Sequence, residues 1–264
     1  MRKTPAILGM IICLAAGFGL GWGIPALIST LPGQTLVDKI QARGTFIVGT
    51  SSDWPPFEIY NITTSEYEGF DIDLADMIAT ELGVTVTWSD MDFDSLIGAC
   101  TAGTIDMIAA AMMVTAERAE VLAHSVPYIR VNQVVIVNGS SSLTITDLAE
   151  LTDYQVGAQV GTTEYDELID LGMTDGVNLT GYAKADVMIA ALVSGAIEAA
   201  YVDEPVFTVW AKSESLKIIY TVPAEPTALW CRWEEPELMQ VINKVILEAY
   251  ADGSMDLLIA KWFE

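Results

Sequence analysis

Short apolar segments of strand character alternate with amphipathic segments along most of the chain, and this alternation limits the fold more than any other feature. The predicted strands lie at 45–49, 84–88, 106–109, 133–137, 156–159 and 199–202. The predicted helices lie at 71–82, 94–102, 116–122, from 164 onwards, and at 185–195, 236–250 and 255–262. This order is typical of parallel sheets covered by helices. A second series of strands and helices begins after Tyr128, so the pattern predicts two α/β lobes.

Residues 1–34 are predicted to be a signal peptide or an uncleaved membrane anchor. Arg2 and Lys3 precede a run at 5–28 that contains no charged residue. A hydrophobic helix of this length can span a bilayer, and a basic N-terminus stays in the cytoplasm. We favour the anchor, because no small-x-small cleavage site follows. The rest of the chain is then exported, to the extracellular face of the cytoplasmic membrane or to the periplasm.

Acidic residues outnumber basic ones by 36 to 12, which gives a formal net charge of −24. Nucleic-acid binding is excluded, because it needs clustered Lys and Arg. The single histidine, His124, excludes multi-histidine metal sites and most histidine-based catalysis. No phosphate-loop or hydrolase signature occurs in the exported part, so we expect no enzymatic activity, metal or cofactor. Cys100 and Cys231 lie in apolar segments, which predicts two buried free thiols.

Four local features carry the functional prediction. Trp54 stands in a proline-stiffened loop after a strand, where ligands bind in α/β proteins. Arg118 falls in the first turn of a helix, where its charge opposes the helix dipole unless it holds an anion or pairs with a nearby acid. The Gly161-Thr162-Thr163 segment opens a helix and can bind an anion or serve as a plain N-cap. Asp203 ends a buried strand and can accept an ammonium group. Together they complement a zwitterionic amino acid.

Several segments in the same order resemble the family 3 extracellular solute-binding proteins, the polar-amino-acid receptors of ABC importers. The matching segments are Asp53-Trp54-Pro55-Pro56-Phe57, Gly69-Phe70-Asp71-Ile72-Asp73-Leu74, Gly103-Thr104-Ile105-Asp106, Thr115-Ala116-Glu117-Arg118, Ser125-Val126-Pro127-Tyr128, Gly161-Thr162-Thr163 and Ala200-Tyr201-Val202-Asp203. The resemblance extends over the chain from about residue 36 to its last residue.

The resemblance implies a periplasmic-binding-protein-like type II fold, with two α/β lobes joined by a two-strand hinge, preceded here by the N-terminal hydrophobic helix. Lobe 1 would comprise 35–129 and 226–264, and lobe 2 would comprise 130–225. The crossings are expected near 129–133 and 222–227. The implied partners are a small amino-acid ligand and the permease of an ABC transporter, with the binding protein itself a monomer attached to the membrane through its N-terminus.

The resemblance also assigns roles to individual residues. The ligand α-carboxylate would be bound by Arg118 with the amide of Thr163, and the α-ammonium by Asp203 with the carbonyl of Ala111. The remaining expected binding residues are Trp54 and Phe93 on either side of the ligand side chain, Gln159, Thr162, Ser51 and Met113. Met113 departs from the family pattern, which has Ser or Thr there to help hold the ammonium.

Two questions stay open at this stage. A dehydratase of cyclohexadienyl or arogenate type and the sensing domain of a membrane receptor are alternatives, since fold does not fix function. The dehydratase would need a general acid, for which only Glu58 and Glu204 are candidates. The uncharged Ser51 predicts a ligand with a neutral side chain, whereas Glu58 or Glu204 reaching the pocket would favour a cation.

Overall fold

The computed structural model describes residues 33–264. The predicted N-terminal targeting helix falls in residues 1–32 and therefore lies outside the described residues. Between residues 33 and 264, no helix is both long enough and apolar enough to cross a membrane.

Thirteen strands and nine α-helices make up this part of the chain. The strands are β1 (Thr45–Thr50), β2 (Asp53–Trp54), β3 (Glu58–Asn61), β4 (Glu66–Glu68), β5 (Thr85–Asp90), β6 (Met107–Ile108), β7 (Ala123–His124), β8 (Ile129–Asn138), β9 (Val156–Gln159), β10 (Leu179–Tyr182), β11 (Ala199–Asp203), β12 (Leu216–Thr227) and β13 (Trp230–Cys231). The helices are α1 (Leu36–Arg43), α2 (Phe70–Leu82), α3 (Leu96–Thr101), α4 (Ala116–Val121), α5 (Thr163–Asp170), α6 (Ala185–Ser194), α7 (Glu204–Trp210), α8 (Pro236–Asp252) and α9 (Ser254–Phe263).

The strands form two five-stranded sheets and one small three-stranded sheet. The first sheet has the order β5-β1-β6-β13-β7, and the second has the order β10-β9-β11-β8-β12. We call the elements around the first sheet the first lobe and those around the second sheet the second lobe. The small sheet, β2-β3-β4, follows β1 and positions the loop that carries Trp54.

Both large sheets are mixed, so the prediction of parallel sheets is correct only for part of each. In the first sheet β5 and β6 run parallel to β1, whereas β13 runs antiparallel to β6. In the second, β9 is parallel to β10 and β11, whereas β8 is antiparallel to β11 and β12. The antiparallel strands arise because the chain enters the second lobe along β8 and returns along β12.

The pair formed by β8 and β12 is the longest ladder of the fold and connects the lobes. Its register extends from Leu216 opposite Asn138 to Thr227 opposite Ile129. The first-lobe end of the ladder is joined by a bridge between Met113 and Thr227. The two predicted crossing segments therefore lie side by side at one end of these strands.

Alternating side chains of β1 bury two separate clusters, as expected for a strand covered on both faces. Phe46 and Val48 pack in the cluster that contains α2 and α8, whereas Ile47 packs against the cluster of α3. Cys100 of α3 belongs to the cluster of α3, and Cys231 belongs to the cluster that contains α2 and α8. Both cysteines are buried free thiols, as predicted.

Candidate functional site

Nine of the ten side chains predicted to bind ligand line one small cavity between the lobes. The first lobe contributes Trp54, Phe93, Ala111, Met113 and Arg118, and the second contributes Gln159, Thr162, Thr163 and Asp203. The cavity measures about 20 Å³, which is room for about one water molecule. The lobes or the side chains between them must therefore move apart before an amino acid can enter.

Arg118 links the lobes through its guanidinium group. The Thr115 side chain caps α4 by accepting the backbone N–H of Arg118, which fixes the start of the helix. The guanidinium donates to the carbonyl of Met113 and, across the lobes, to the carbonyl of Gly161, each at 2.8 Å. It also lies 5.6 Å from the centre of the Phe93 ring. Burial lowers the pKa of Arg118, although nearby carboxylates oppose this effect. The side chain is a buried cation held by neutral oxygens.

The start of α5 brings backbone amides toward Arg118. The Thr162 side chain accepts the N–H of Tyr165, so Thr163 is the first helical residue and its amide lies at the free N-terminal end. Gly161, just before this end, has a φ of +83°, and a Cβ there would lie 3.0 Å from the backbone of Asp94 in the first lobe. A glycine is needed because the two lobes approach so closely. Guanidinium and helix N-terminus together suit a carboxylate.

Asp203 lies at the end of β11 and is 3% exposed. Its Oδ2 accepts the indole N–H of Trp54 at 2.9 Å, which ties the aromatic side chain of the first lobe to the carboxylate of the second. Its Oδ1 is buried and has no hydrogen-bond partner among the described residues. Burial is the main cause of a pKa well above the usual range, and the charge of Glu164 adds to it. A cationic donor at Oδ1 would relieve both effects.

Ala111 owes its conformation to a buried carboxylate. Its φ of +48° is unusual for a residue with a side chain. The Asp71 carboxylate accepts the Ala111 amide and the Tyr128 hydroxyl, both at 2.8 Å. Asp71 therefore has a structural role at the start of α2. No described residue donates to the carbonyl of Ala111, so it is available to a ligand.

Ser51 is the one predicted residue that does not line the cavity. Its hydroxyl donates to Asp53 at 2.6 Å and lies 3.4 Å from the ammonium of Lys184 in the second lobe. Asp53 also accepts the Gln159 side-chain amide at 2.9 Å, so this part of the interface is a paired network between the lobes. No recognisable motif marks Lys184 in the sequence, where it follows the end of β10.

Glu164 is a further residue that lines the cavity but was missed as a binding residue. It follows the Gly-Thr-Thr segment in the first turn of α5, where acidic residues are common, so nothing marked it in the sequence. The carboxylates that sequence reasoning did consider, Glu58 and Glu204, are absent from the cavity lining. Glu58 is buried within the first lobe, and Glu204 accepts the side-chain amide of Asn132.

A wider groove of about 620 Å³ adjoins the cavity and shares Phe93, Met113, Arg118 and Thr163 with it. Apart from Arg118, its charged lining side chains are all carboxylates: Asp94, Glu117, Asp166, Glu167, Asp170 and Glu225. A cleft lined by one sign of charge concentrates ligands of the opposite sign. The approach to the cavity therefore favours cations over anions.

Five carboxylates in or near the cavity, four of them buried and Asp53 partly buried, have raised pKa values, chiefly because burial disfavours their charged forms. They are Asp53, Glu58, Asp71, whose pKa is raised to about 7, Glu164 and Asp203. The folded protein consequently holds protons that the unfolded chain has already lost at pH above about 4.

This arrangement predicts that stability falls as pH rises. Since the folded state binds more protons, the free energy of unfolding should be larger at about pH 5 than at about pH 8. Thermal unfolding in high salt, which screens the net charge, measures the difference. Asp71→Asn should flatten the slope between these values. An unfolding midpoint that increases from pH 5 to pH 8 would contradict the raised pKa values.

The chain is similar to known proteins over most of its length. The model of the family described as bacterial extracellular solute-binding proteins, family 3, matches residues 46–264. The arginine-binding extracellular protein ArtP of Bacillus subtilis is 27% identical over 221 residues, covering 82% of this chain and 85% of ArtP. A mutant of ArgBP from T. maritima superposes with a TM-score of 0.80 at 34% identity, covering 86% of this chain and 98% of that one. The ancestral amino acid-binding protein AncCDT-1, a precursor of cyclohexadienyl dehydratase, has a TM-score of 0.79 at 30% identity over 88% of this chain and 100% of that one.

Proposed function

Because the chain belongs to family 3 of the bacterial extracellular solute-binding proteins, we propose that the cavity between its lobes is the binding site of a free amino acid. The protein captures an amino acid between two lobes for import by an ABC transporter. The observation that carries the site assignment is that nine of the ten residues assigned from the sequence features and the family resemblance line one interlobe cavity. Arg118 and the Thr163 amide would bind the α-carboxylate, and Asp203 with the Ala111 carbonyl would bind the α-ammonium.

Entry of the ligand requires a hinge motion. We assign the hinge to the first-lobe ends of β8 and β12, with the lobe boundaries at 129/130 and 225/226. Opening would break the Arg118–Gly161 and Trp54–Asp203 contacts, since both cross between the lobes. A bound amino acid would replace these contacts with its own charged groups, and closure around it would produce the form that the permease recognises. The protein would act as a monomer, attached to the membrane through residues 1–34.

The charges around the site favour an amino acid with a net positive charge. Arg118 faces two carboxylates in the cavity, Asp203 and Glu164, and the adjoining groove adds six more. This surplus argues for a cationic side chain rather than the neutral one that Ser51 predicts from the sequence, and the names of arginine-binding relatives agree with it. The Lys184–Asp53 pair, at 3.5 Å, leaves the neighbourhood of Ser51 without a free charge.

A thermal-shift screen of the free amino acids tests the ligand class. Saturating ligand raises the unfolding temperature according to its concentration relative to Kd. We expect the largest shifts with arginine or lysine, smaller ones with glutamine, and none with glutamate, because a second buried carboxylate would lack a partner. A larger shift with glutamate than with arginine would overturn the charge assignment. If no amino acid shifted the unfolding temperature, the proposal that the protein captures an amino acid would be wrong.

Catalysis is not part of the proposal. The dehydratase alternative has two candidates for its general acid, Glu58 and Glu204, and both lie outside the cavity lining. The two carboxylates that do line the cavity, Glu164 and Asp203, would balance the positive charge of the ligand. Release of a keto acid from prephenate or arogenate would be the result that revives this alternative.

A further inference from the structure

Two carboxylate oxygens in the proposed binding cavity lack donors. Asp203 Oδ1 and Glu164 Oε1 are both buried and receive no hydrogen bond from a donor group of the described residues. The two carboxyl groups lie within hydrogen-bonding reach of each other. Glu164 is 2% exposed and Asp203 is 3% exposed. Within residues 33–264, neither forms an ion pair with a Lys or Arg nitrogen, since Arg118 donates to carbonyls instead. Unsatisfied buried acceptors of this kind demand an explanation.

The Glu164 side chain is held in place rather than free to turn away. Its Oε2 lies 3.2 Å from the Thr163 hydroxyl, which in turn accepts the side-chain amide of Gln133 at 2.8 Å. Gln133 is 3% exposed and comes from the β8 strand that connects the lobes. This support leaves Oε1 as the unpartnered oxygen of a fixed carboxylate.

An ammonium group has three N–H donors and no acceptor. The unpartnered acceptors among the described residues that line the cavity include Asp203 Oδ1, Glu164 Oε1 and the Ala111 carbonyl. We propose that Glu164 is a second carboxylate that binds the ligand's α-ammonium together with Asp203. This inference rests on the proposed function of the cavity.

The assignment also accounts for Met113. Met113 lines the cavity, and its thioether is only a weak acceptor for an ammonium. Glu164 would supply a stronger acceptor from the opposite lobe. It follows Thr163, whose hydroxyl lies 3.3 Å from the Met113 sulfur. Burial raises the pKa of both acids, and the charge of Glu164 raises that of Asp203 further. An ammonium between them would stabilise their charged forms.

The test is Glu164→Gln, which keeps the size of the side chain and removes its charge. Calorimetry would compare L-arginine with the arginine analogue that lacks the α-amino group. The wild type should bind arginine more tightly than the analogue. In the variant the ratio of the two affinities should fall by about ten- to a hundredfold, because a hydrogen bond to a charged group is lost. The analogue should bind the variant at least as tightly as the wild type. Asp153→Asn, the same charge change at an exposed residue of the second lobe, should leave both affinities unchanged.

The outcomes separate this proposal from the function on which it rests. If amino acids bind and the preference changes by less than twofold in Glu164→Gln, Glu164 is not an ammonium acceptor although the site assignment stands. If the wild type binds no amino acid, the proposed function fails and Glu164 has no such role. Glutamine and its counterpart without the α-amino group replace the arginine pair if the ligand proves neutral. Should Glu164→Gln fail to fold, Glu164→Asp withdraws the carboxylate by one methylene and should reduce the same preference.

Discussion

Replacing Arg118 by alanine should weaken amino-acid binding by about 2–5 kcal/mol, which is about thirty- to several-thousandfold in Kd. The variant removes the only cation among the described residues that line the cavity, and the ligand carboxylate would then be buried without a charged partner. Arg118→Lys should also weaken binding. The guanidinium reaches carbonyls in both lobes through two nitrogens at once, and an ammonium lacks this planar fork.

Titration calorimetry measures these losses, and Lys39→Ala is the control. Lys39 is an exposed cation of α1 that lies outside the cavity lining and away from the assigned hinge, so its removal should leave the affinity close to that of wild type. Asp203→Ala should weaken binding by a similar amount, because it removes the carboxylate assigned to the ammonium. Binding by Arg118→Ala within a factor of two of wild type would show that the carboxylate is held elsewhere.

Gly69→Ala should destabilise the folded protein by roughly 3 kcal/mol or more. Gly69 precedes α2 with φ at 145° and ψ at 173°, a region that is almost restricted to glycine. A Cβ at this position would lie 2.0 Å from the carbonyl oxygen of Phe57 and 2.8 Å from the backbone nitrogen of Glu58. These are backbone atoms, so neither a rotamer change nor a small shift removes the overlap.

The change also reaches the binding site. Gly69 brings the Trp54–Phe57 turn against the first residues of α2, where Asp71 holds Ala111. Urea unfolding measures the stability, and Gly98→Ala is the control. Gly98 is exposed within α3 with no atom close to its missing Cβ, so alanine there should stabilise by about 0.5–1 kcal/mol. An unfolding midpoint of Gly69→Ala equal to wild type would disprove the conformational requirement.

Most of the large elements could be predicted because their signals are local. The apolar run 45–49 and the glycine-terminated helix 71–82 lie within a residue or two of β1 and α2. Short strands such as β7 and β13 were missed, since two residues carry no periodic pattern. The mixed character of the sheets was missed as well. It depends on how the chain crosses between the lobes, which alternation alone does not reveal.

The candidate site divides in the same way. Arg118, Thr163 and Asp203 each stand at a helix start or strand end, and such positions can be recognised one at a time. Glu164 contacts Asp203, and Lys184 pairs with Asp53. Both partners are distant in sequence. The pairing of Trp54 with Asp203 likewise joins residues 149 positions apart. Contacts of this kind follow from the closed arrangement of the lobes, and no local pattern predicts them.

A crystal structure with the amino acid that gives the largest thermal shift tests the central claim most directly. The proposed site predicts the ligand between the lobes, with its α-carboxylate on the Arg118 guanidinium and the Thr163 amide and its α-ammonium on Asp203. The ligand side chain should lie against Trp54 and Phe93. A ligand seated only in the outer acidic groove, or one whose α-carboxylate makes no contact with Arg118, would contradict it.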